Sequence, residues 1–334
     1  MNSAFESEDD LVQTYFAPLT RHMPGALGLT DDCARLVVPP ERDLVVTTDA
    51  VAAGVHFFAT DAAADIAWKA LAVNVSDLIA KGAEPLAYQM ALSFPETPDR
   101  DWLKNFAMGL EAGQQAFGLG LLGGDTDKRP GPLTVTITAF GSLPKGAMVM
   151  RSGARDGDIV FVSGTLGDSA LGLALRRDSE LSSKWELTAH EAAHLQSRYL
   201  RPQPRLALRD LLIEYASAAM DISDGLVKDL ERLCNASHAA AVVHLPQIPL
   251  SAAGHRAVKA DANVPLLAIT GGDDYEVLCT VPVDRAGRFT EAARTSGTAV
   301  TAIGTVSSGS GVAVVGRDGE PVAIGATGWD HFRG

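Results

Sequence analysis

Cysteine is scarce in this chain of 334 residues, which contains only Cys33, Cys234 and Cys279. The three lie far apart and form no CxxC pair, so the sequence lacks the signature of a zinc site or a dithiol redox site. Because unpaired thiols persist in reducing compartments, we predict a cytoplasmic location.

Positive charge is also under-represented, with 28 Lys and Arg against 41 Asp and Glu and a formal net charge of −13. Such an excess of negative charge repels phosphate backbones and anionic membranes, so we predict neither a nucleic-acid nor a membrane partner. No apolar run approaches the ~18 residues that a membrane-spanning helix needs. The acidic start, MNSAFESEDD, has no features of a signal peptide. An anionic phosphate ligand would require a cation, which a metal ion could supply.

The composition, with 46% hydrophobic and 21% charged residues, is that of a folded protein, and the length predicts two domains. The polar stretch 145–158 is the predicted boundary, which gives domains 1–148 and 149–334. Helical and strand patterns are mixed without a regular βαβ alternation, which predicts an α+β fold.

The hydrophobic periodicity predicts an amphipathic helix over 1–25 and, further along, both strands and helices. The predicted strands are 44–48, 88–92, 133–139, 159–162, 219–222, 240–244, 277–281 and 312–315. The predicted helices are 65–81, 102–117, 169–177 and 226–234.

Aspartates recur where an apolar segment meets a glycine or a turn, a setting in which a rigid scaffold often holds functional groups. These are Asp31, Asp32, Asp49, Asp125, Asp221, Asp224, Asp273 and Asp274. A single GGD motif is better explained by a tight turn with a solvated aspartate. Two GGD motifs, at 123–125 and 271–273, fall one in each predicted domain and favour a shared function. Clustered carboxylates suit Mg²⁺.

Asp77 falls on the predicted helix 65–81, on the apolar face formed by Ile66, Ala70 and Val73. A carboxylate on such a face is costly unless it is paired or bound to a metal. The sequence leaves two interpretations open: Asp77 binds a metal, or it caps a neighbouring loop.

The DISDG motif at 221–225 also has two interpretations. Ser223 or Asp224 could cap the following helix, or the helix N-terminus could seat a phosphate. A cap does not require Asp221, so the presence of Asp221 favours the second interpretation, a phosphate site. The segment SGTLGDSA at 163–170 could likewise seat a phosphate, but it lacks the GK[ST] end of a P-loop, so a structural strand–turn–helix is favoured.

Other known nucleotide motifs are absent. Residues 118–123 match GxGxxG formally, but they follow a helix rather than a strand, so they do not predict dinucleotide binding. The HRD and DFG motifs of protein kinases are missing. His56, Arg151 and Trp329 are candidates for ligand contacts. A lone histidine is more often packed or on the surface, and a surface arginine and a core-anchoring tryptophan explain the other two residues equally well.

Taken together, the motifs resemble those of the thiamine-monophosphate kinases. They are GLTDD, TTDAVAAGVHF, KALAVNVSDLIAKGAEP, GGDT, RSGA, DISDGL, GGDDYE and the terminal GWDHF, and they extend over nearly the whole chain. The wider superfamily includes the ATP-using aminoimidazole ribonucleotide and selenophosphate synthetases.

The resemblance implies a two-domain, synthetase-like α+β fold whose N-terminal mixed sheets pair across a homodimer, with a C-terminal α/β domain. It implies direct in-line phosphoryl transfer from ATP to thiamine monophosphate with Mg²⁺, with the substrate phosphate as nucleophile and no catalytic base. The implied metal ligands are Asp32, Thr47, Thr48, Asp49, Asp77, Asp125, Asp221 and Asp224. The implied ATP contacts are Gly124, Asp125, Arg151 and Ser223, and the implied thiamine monophosphate contacts are His56, Asp273 and Trp329.

Two positions depart from the family pattern. Thr30 stands where GxGDD has its second glycine, so we expect a different local turn. Asp273 stands where GGEDYE has Glu, which shortens the expected thiamine contact by one methylene. Two alternatives stay open: another ATP-using enzyme of the superfamily, and a non-catalytic nucleotide-binding relative.

Overall fold

The structure is a computed structural model that describes residues 7–325 and 327–329. Two mixed sheets, each accompanied by helices, confirm the predicted α+β fold. The chain divides into two compact units: the first takes the residues up to Leu78 and Ala83–Gly146, and the second takes Ile79–Gly82 and the residues from Ala147 onward.

The first unit contains a four-stranded sheet in the order β1-β4-β2-β3. β4 is antiparallel to both of its neighbours, whereas β2 and β3 are parallel. Its strands are β1 (Arg42–Ala52), β2 (Glu84–Phe94), β3 (Gly120–Lys128) and β4 (Thr134–Pro144). β1 is an edge strand.

The helices of the first unit are α1 (Glu8–Leu11), α2 (Ala63–Ala80) and α3 (Arg100–Phe117). The prediction of one helix over 1–25 was wrong within the described residues. After α1 the chain runs through a π-helix, Val12–Phe16, and 3₁₀ turns at Ala17–Thr20 and Pro24–Leu29. The two prolines at the starts of these turns lack the N–H that a continuous helix needs.

Two of the aspartates singled out in the sequence lie inside strands rather than at a strand end or in a turn. We placed Asp49 at the end of a strand over 44–48, but β1 continues to Ala52 and Asp49 lies inside it. The GGDT motif was interpreted as a turn, but it lies within β3, where Asp125 pairs with Ala91 of β2. Ladder hydrogen bonds from β2 and β4 therefore hold polar residues that have low strand propensity.

The second unit contains a six-stranded sheet in the order β10-β7-β9-β5-β8-β6. Its strands are β5 (Ile159–Ser163), β6 (Ala218–Asp221), β7 (Ala239–His244), β8 (Val277–Val281), β9 (Val300–Ser308) and β10 (Gly311–Val315). Its helices are α4 (Asp168–Arg177), α5 (Leu181–Lys184), α6 (Ala189–Leu200), α7 (Arg209–Tyr215), α8 (Leu226–Ser237), α9 (Ala252–Ala260), α10 (Val264–Thr270) and α11 (Val283–Thr295).

The core of the second unit forms where α8 packs on the sheet, with Leu226, Leu230 and Leu233 fully buried against strand residues such as Met220 and Leu278. This packing fixes the DISDG segment between β6 and α8. Across the described residues, none of the helices is both long enough and apolar enough to pass through a bilayer.

Candidate active site

The first unit contains an acid-lined cavity of about 450 Å³. The N-terminal segment, the loop after Leu29 and the exposed surface of β2, β3 and β4 line it. The carboxylates that line it are Glu8, Asp31, Asp32 and Asp125, and no Lys, Arg or His is among its described lining residues. The cavity is therefore suited to a cation or to a ligand that carries one.

The 3₁₀ segment Pro24–Leu29 positions Asp31 and Asp32. Ala26 is buried in a small cluster with Ala87 of β2 and Leu122 of β3, so the segment packs on the sheet just before the two aspartates. The turn does not require glycine at position 30, because Thr30 has φ −113°, and its hydroxyl donates to the Leu27 carbonyl at 2.8 Å.

Gly124 and Asp125 enter the cavity from β3. A Cβ on Gly124 would lie 1.8 Å from the Met90 carbonyl oxygen, so only glycine fits where β3 approaches β2. Asp125 lies opposite Ala91 of β2 in the sheet, and Ala91 lies opposite Thr136 of β4, which also lines the cavity.

No residue in the described part of the chain bonds the carboxylates of Asp31, Asp32 and Asp125, which are exposed to the cavity. Nowhere among the described residues do three Asp, Glu, His or Cys side chains gather closely enough to form a metal site by themselves. Mg²⁺ characteristically takes one or two carboxylates and completes its shell with water and substrate phosphates. The donor set of the cavity fits that pattern.

Thr47 and Asp77 meet at the other face of the sheet, where α2 packs. The Thr47 hydroxyl donates to Asp77 Oδ2 at 2.6 Å. The predicted apolar face of α2 is confirmed, since Ile66, Ala70 and Val73 are buried, and Asp77 is half-buried at its end.

Thr48 and Asp49 follow Thr47 along β1. Thr48 is hydrogen-bonded at 3.0 Å to Thr138, which lines the cavity. Asp49 shares the face of Thr47, because side chains alternate along a strand, and its backbone N–H donates to Asn74 Oδ1 at 2.9 Å. The fully buried Asn74 thus ties β1 to α2 beside Asp77.

His56 is held by both its ring and its backbone. Its Nδ1 accepts from the Ala52 N–H at 3.1 Å, and its carbonyl accepts from Lys69 Nζ at 2.8 Å. Lys69 is only 2% exposed. Lys69 was not predicted to anchor this loop, although its place among the apolar residues of the predicted helix 65–81 was a signal.

In the second unit, the DISDG segment connects β6 to α8. Asp221 is the last residue of β6 and is 3% exposed. Neither Ser223 nor Asp224 caps α8, so the capping interpretation was wrong; Gly225, at φ 111°, is the N-cap and has no side-chain cap bond. The N–H groups of Ser223 and Asp224 instead donate to Asp229 Oδ2 at 3.0 and 2.9 Å.

Asp224 is paired with two cationic side chains of α8. Arg232 lies 2.6 Å and Lys228 3.3 Å from its Oδ2, and Arg232 also bonds Asp229 at 2.7 Å. Burial raises the pKa of Asp229 to about 6, and the N–H of Asp224 acts in the opposite direction. Asp229 was not predicted as a site residue, because the segment LVKDLERLC has the pattern of an amphipathic helix, in which a charged residue usually faces solvent.

The GGDDYE segment lies beside DISDG. Backbone hydrogen bonds join Asp273 N–H to the Ser223 carbonyl and Tyr275 N–H to the Ile222 carbonyl, both at 2.8 Å. Asp273 and Tyr275 have φ values of 69° and 51°, which are costly for residues other than glycine. The Tyr275 hydroxyl donates to Asp273 Oδ1 at 3.1 Å.

Asp274 and Glu276 alternate with these residues and are buried. Asp274 accepts from the Gly167 N–H at 2.8 Å at the start of α4, and burial raises its pKa well above the usual range. Glu276 is fully buried and bonds Arg198, Arg205 and Ser163. The amide of Gly167 in the SGTLGDSA segment is thus occupied by a side chain of this chain.

Arg151 and Trp329 are both exposed. The Arg151 carbonyl accepts from Ser237 Oγ at 3.0 Å, which fixes the backbone of the RSGA motif. The Trp329 N–H donates to the Asp224 carbonyl at 3.0 Å, and Lys228 donates to the Trp329 carbonyl. The rest of the terminal GWDHF motif, 330–332, lies outside the described residues.

Two family models match the chain. The AIR synthase related protein, N-terminal domain, matches residues 30–143, and the AIR synthase related protein, C-terminal domain, matches residues 155–317. Because these matches cover most of the chain, the protein is an AIR synthase related protein with two α+β units.

Individual relatives show to which family within this class the chain belongs. The thiamine-monophosphate kinase of Caulobacter vibrioides is 40% identical over 97% of this chain and 91% of the relative. The crystal structure of the Stenotrophomonas maltophilia thiamine-monophosphate kinase has a TM-score of 0.82 at 37% identity, covering 92% of this chain and 98% of that one. A structure described as AaThiL complexed with AMPPCP and TMP has a TM-score of 0.77 at 34% identity, covering 90% and 91%. The chain belongs to the thiamine-monophosphate kinase family.

Proposed function

We propose that this chain transfers the γ-phosphoryl group of ATP to the phosphate of thiamine monophosphate, which yields thiamine diphosphate and ADP. The observation that carries the proposal is the cavity of the first unit, where carboxylates and the close-packed Gly124 meet and the described lining residues include no cationic side chain. It is supported by the family membership and by a relative described as complexed with AMPPCP and TMP.

We propose Mg²⁺ as the cation. At the cavity, Asp32 and Asp125 would hold it, with the oxygen of Thr48. On the opposite face of the sheet, Asp49 and Asp77 would hold a separate ion, with the oxygen of Thr47. In the second unit, Asp221 and Asp224 are the proposed ligands. When bound, Mg²⁺ would neutralise charge on the phosphate groups of the reactants. Arg232 and Lys228 already supply positive charge to Asp224, so its carboxylate serves a metal only by exchanging or sharing these partners.

The remaining site residues are assigned to the two substrates. We propose that Gly124, Asp125, Arg151 and Ser223 bind ATP, and that His56, Asp273 and Trp329 bind thiamine monophosphate. The planar thiamine cation matches an aromatic face and a carboxylate, which Trp329 and Asp273 provide. The attacking oxygen belongs to a phosphate that is already ionised at neutral pH, so the chain needs to orient it rather than deprotonate it.

We propose that the protein acts as a homodimer in the cytoplasm. Leu44 and Val46 are about half exposed, at 48% and 51%, on one face of the edge strand β1, where a second copy would cover them. Light scattering should give twice the chain mass for the wild type and a lower mass for a variant carrying Leu44→Asp and Val46→Asp. Val37→Asp, at another exposed valine, is the control. An unchanged mass in the double variant would contradict this interface.

The experiment that tests the function is incubation with ATP, Mg²⁺ and thiamine monophosphate, with the product identified by mass. We expect thiamine diphosphate and one ADP per turnover. Asp125→Asn should lower turnover at least about 100-fold, a loss typical of removing one electrostatic contact to a transferring group. Asp127→Asn, two residues along the same strand and exposed, is the matched control.

The result distinguishes the alternatives. Absence of thiamine diphosphate with tight ATP binding would favour a non-catalytic relative, and ADP release that requires a different acceptor would favour another enzyme of the superfamily. Equal activity of the Asp125→Asn and Asp127→Asn variants would contradict the role of Asp125.

A further inference from the structure

The first turn of α8 contains a buried carboxylate that bonds outside its own helix. Asp229 is fully buried, and its Oδ2 accepts the N–H groups of both Ser223 and Asp224. These are two successive residues that precede the N-cap, Gly225. One carboxylate oxygen therefore fixes the orientation of two neighbouring peptide groups.

The same two residues support other segments through their carbonyl groups. The Ser223 carbonyl accepts the Asp273 N–H at 2.8 Å, and the Asp224 carbonyl accepts the Trp329 N–H at 3.0 Å. Asp273 and Trp329 lie far apart in the sequence, and each is hydrogen-bonded to a residue that Asp229 holds. Asp229 is thus two hydrogen bonds away from both proposed contacts to the thiamine group.

Arg232 occupies the other oxygen of Asp229. Its guanidinium bridges Asp229 Oδ1 at 2.7 Å and Asp224 Oδ2 at 2.6 Å. A buried carboxylate is costly unless it is paired and hydrogen-bonded, and here both of its oxygens have donors. The bridge also fixes the side chain of Asp224 relative to the backbone that Asp229 holds.

The conformation of the supported segments explains why a buried carboxylate is needed here. Gly225 and Asp273 have φ values of 111° and 69°, outside the regions that most residues prefer. Backbone in such conformations persists only where its surroundings impose it. The side chain of Asp229 does not cap α8. The two hydrogen bonds that it accepts from backbone N–H groups therefore stabilise the DISDG segment rather than the helix.

We propose that Asp229 is a positioning residue for the acceptor substrate, which orients residues 223–224 and, through them, Asp273 and Trp329. The proposal rests on the proposed function, because it assumes that these two residues bind thiamine monophosphate. It predicts that loss of Asp229 weakens acceptor binding and does not act through folding alone.

The test compares Asp229→Ala and Asp229→Asn with the control Glu231→Gln on the same helix. Steady-state kinetics should give KM for each substrate and kcat, calorimetry should give thiamine monophosphate affinity, and thermal unfolding should report the fold. Amide hydrogen exchange of the peptide that contains residues 222–226 reports the local structure without any substrate.

We expect Asp229→Ala to raise KM and the dissociation constant for thiamine monophosphate about tenfold, equivalent to about 1.4 kcal/mol. Exchange of the Ser223 and Asp224 amides should accelerate. Asp229→Asn should have a smaller effect of about threefold on both constants, because an amide oxygen still accepts both N–H groups while its NH₂ faces Arg232. Glu231→Gln should behave as wild type.

Acceptor affinity within twofold of wild type in folded variants, with only kcat or the unfolding temperature lowered, would overturn the proposal and leave Asp229 a structural residue. If Asp229→Ala does not fold, Asp229→Asn decides by the same criterion. Failure of the wild type to phosphorylate thiamine monophosphate is a different result, which refutes the proposed function itself.

Discussion

The Thr47 hydroxyl lies 2.6 Å from Asp77 Oδ2 and joins the edge strand β1 to helix α2. The sequence left Asp77 either as a metal ligand or as a cap for a neighbouring loop. Its observed partner is a side chain of a strand, so the bond orients the carboxylate between two regular elements.

Thr47→Val tests this bond, because valine keeps the shape of the side chain and removes only the hydroxyl. We expect a loss of about 1 kcal/mol in the free energy of unfolding, the usual value of one such hydrogen bond. The Mg²⁺ concentration for half-maximal activity should also rise. Thr47→Ser keeps the donor and is the control. Indistinguishable Mg²⁺ dependence in the two variants would show that the bond does not orient Asp77.

Gly124→Ala should disrupt the pairing of β2 and β3, because the added Cβ would lie 1.8 Å from the Met90 carbonyl oxygen. We expect the free energy of unfolding to fall by about 3 kcal/mol, at the upper end of the range for overpacking. Gly123→Ala is the matched control, since the nearest atom to its added Cβ is 4.0 Å away. Urea unfolding of the two variants measures the difference, and equal stability would contradict the close approach.

Glu191 should make the stability depend on pH in acid. The Thr188 N–H, the Thr188 hydroxyl and Arg256 all donate to its carboxylate, and they lower its pKa from 4.5 to about 2. A lowered pKa in the folded state gives stabilisation that is present above pH 4.5 and lost as the pH falls toward 2.

The measurement is the difference in unfolding free energy between wild type and Glu191→Gln over this pH range. We expect the difference to be largest near neutrality and to shrink as the pH falls. Glu41→Gln, at an exposed glutamate, is the control. A difference that does not vary with pH would contradict the assigned hydrogen bonds.

The three thiols should react at very different rates. Cys33 is exposed and lines the acid-lined cavity, whereas burial raises the pKa of Cys234 to about 11 and of Cys279 to about 12. A colorimetric thiol reagent at pH 8 should modify one cysteine in the native protein and three after denaturation. Cys33→Ser should leave no fast-reacting thiol, and rapid reaction of two or more thiols in the native protein would refute the assignment.

Apolar periodicity was enough to predict the middle of most elements. The pattern around Ile66, Ala70 and Val73 identified the buried face of α2, and α3 ends at Gly118, which adopts the left-handed conformation. Strand ends were less predictable, because hydrogen bonds from neighbouring strands hold polar residues such as Asp49 and Asp125 inside the sheet. Strand pairing depends on tertiary contacts, which the local propensity of a segment does not predict.

The candidate site was predictable only in part. The resemblance supplied residue types, and the structure brings Asp32, Gly124 and Asp125 together at one cavity. Lys69 and Asp229 were missed because charged residues on helices usually face solvent. Both side chains form hydrogen bonds with backbone groups outside their own helices, and a sequence pattern does not reveal such contacts.

The acid-lined cavity also has a consequence for handling the protein. Carboxylates that line one cavity repel each other, so any cation that binds among them favours the folded chain over the unfolded one by mass action. We therefore expect the melting temperature to rise with added divalent salt. Protein treated with a chelator should have a lower melting temperature.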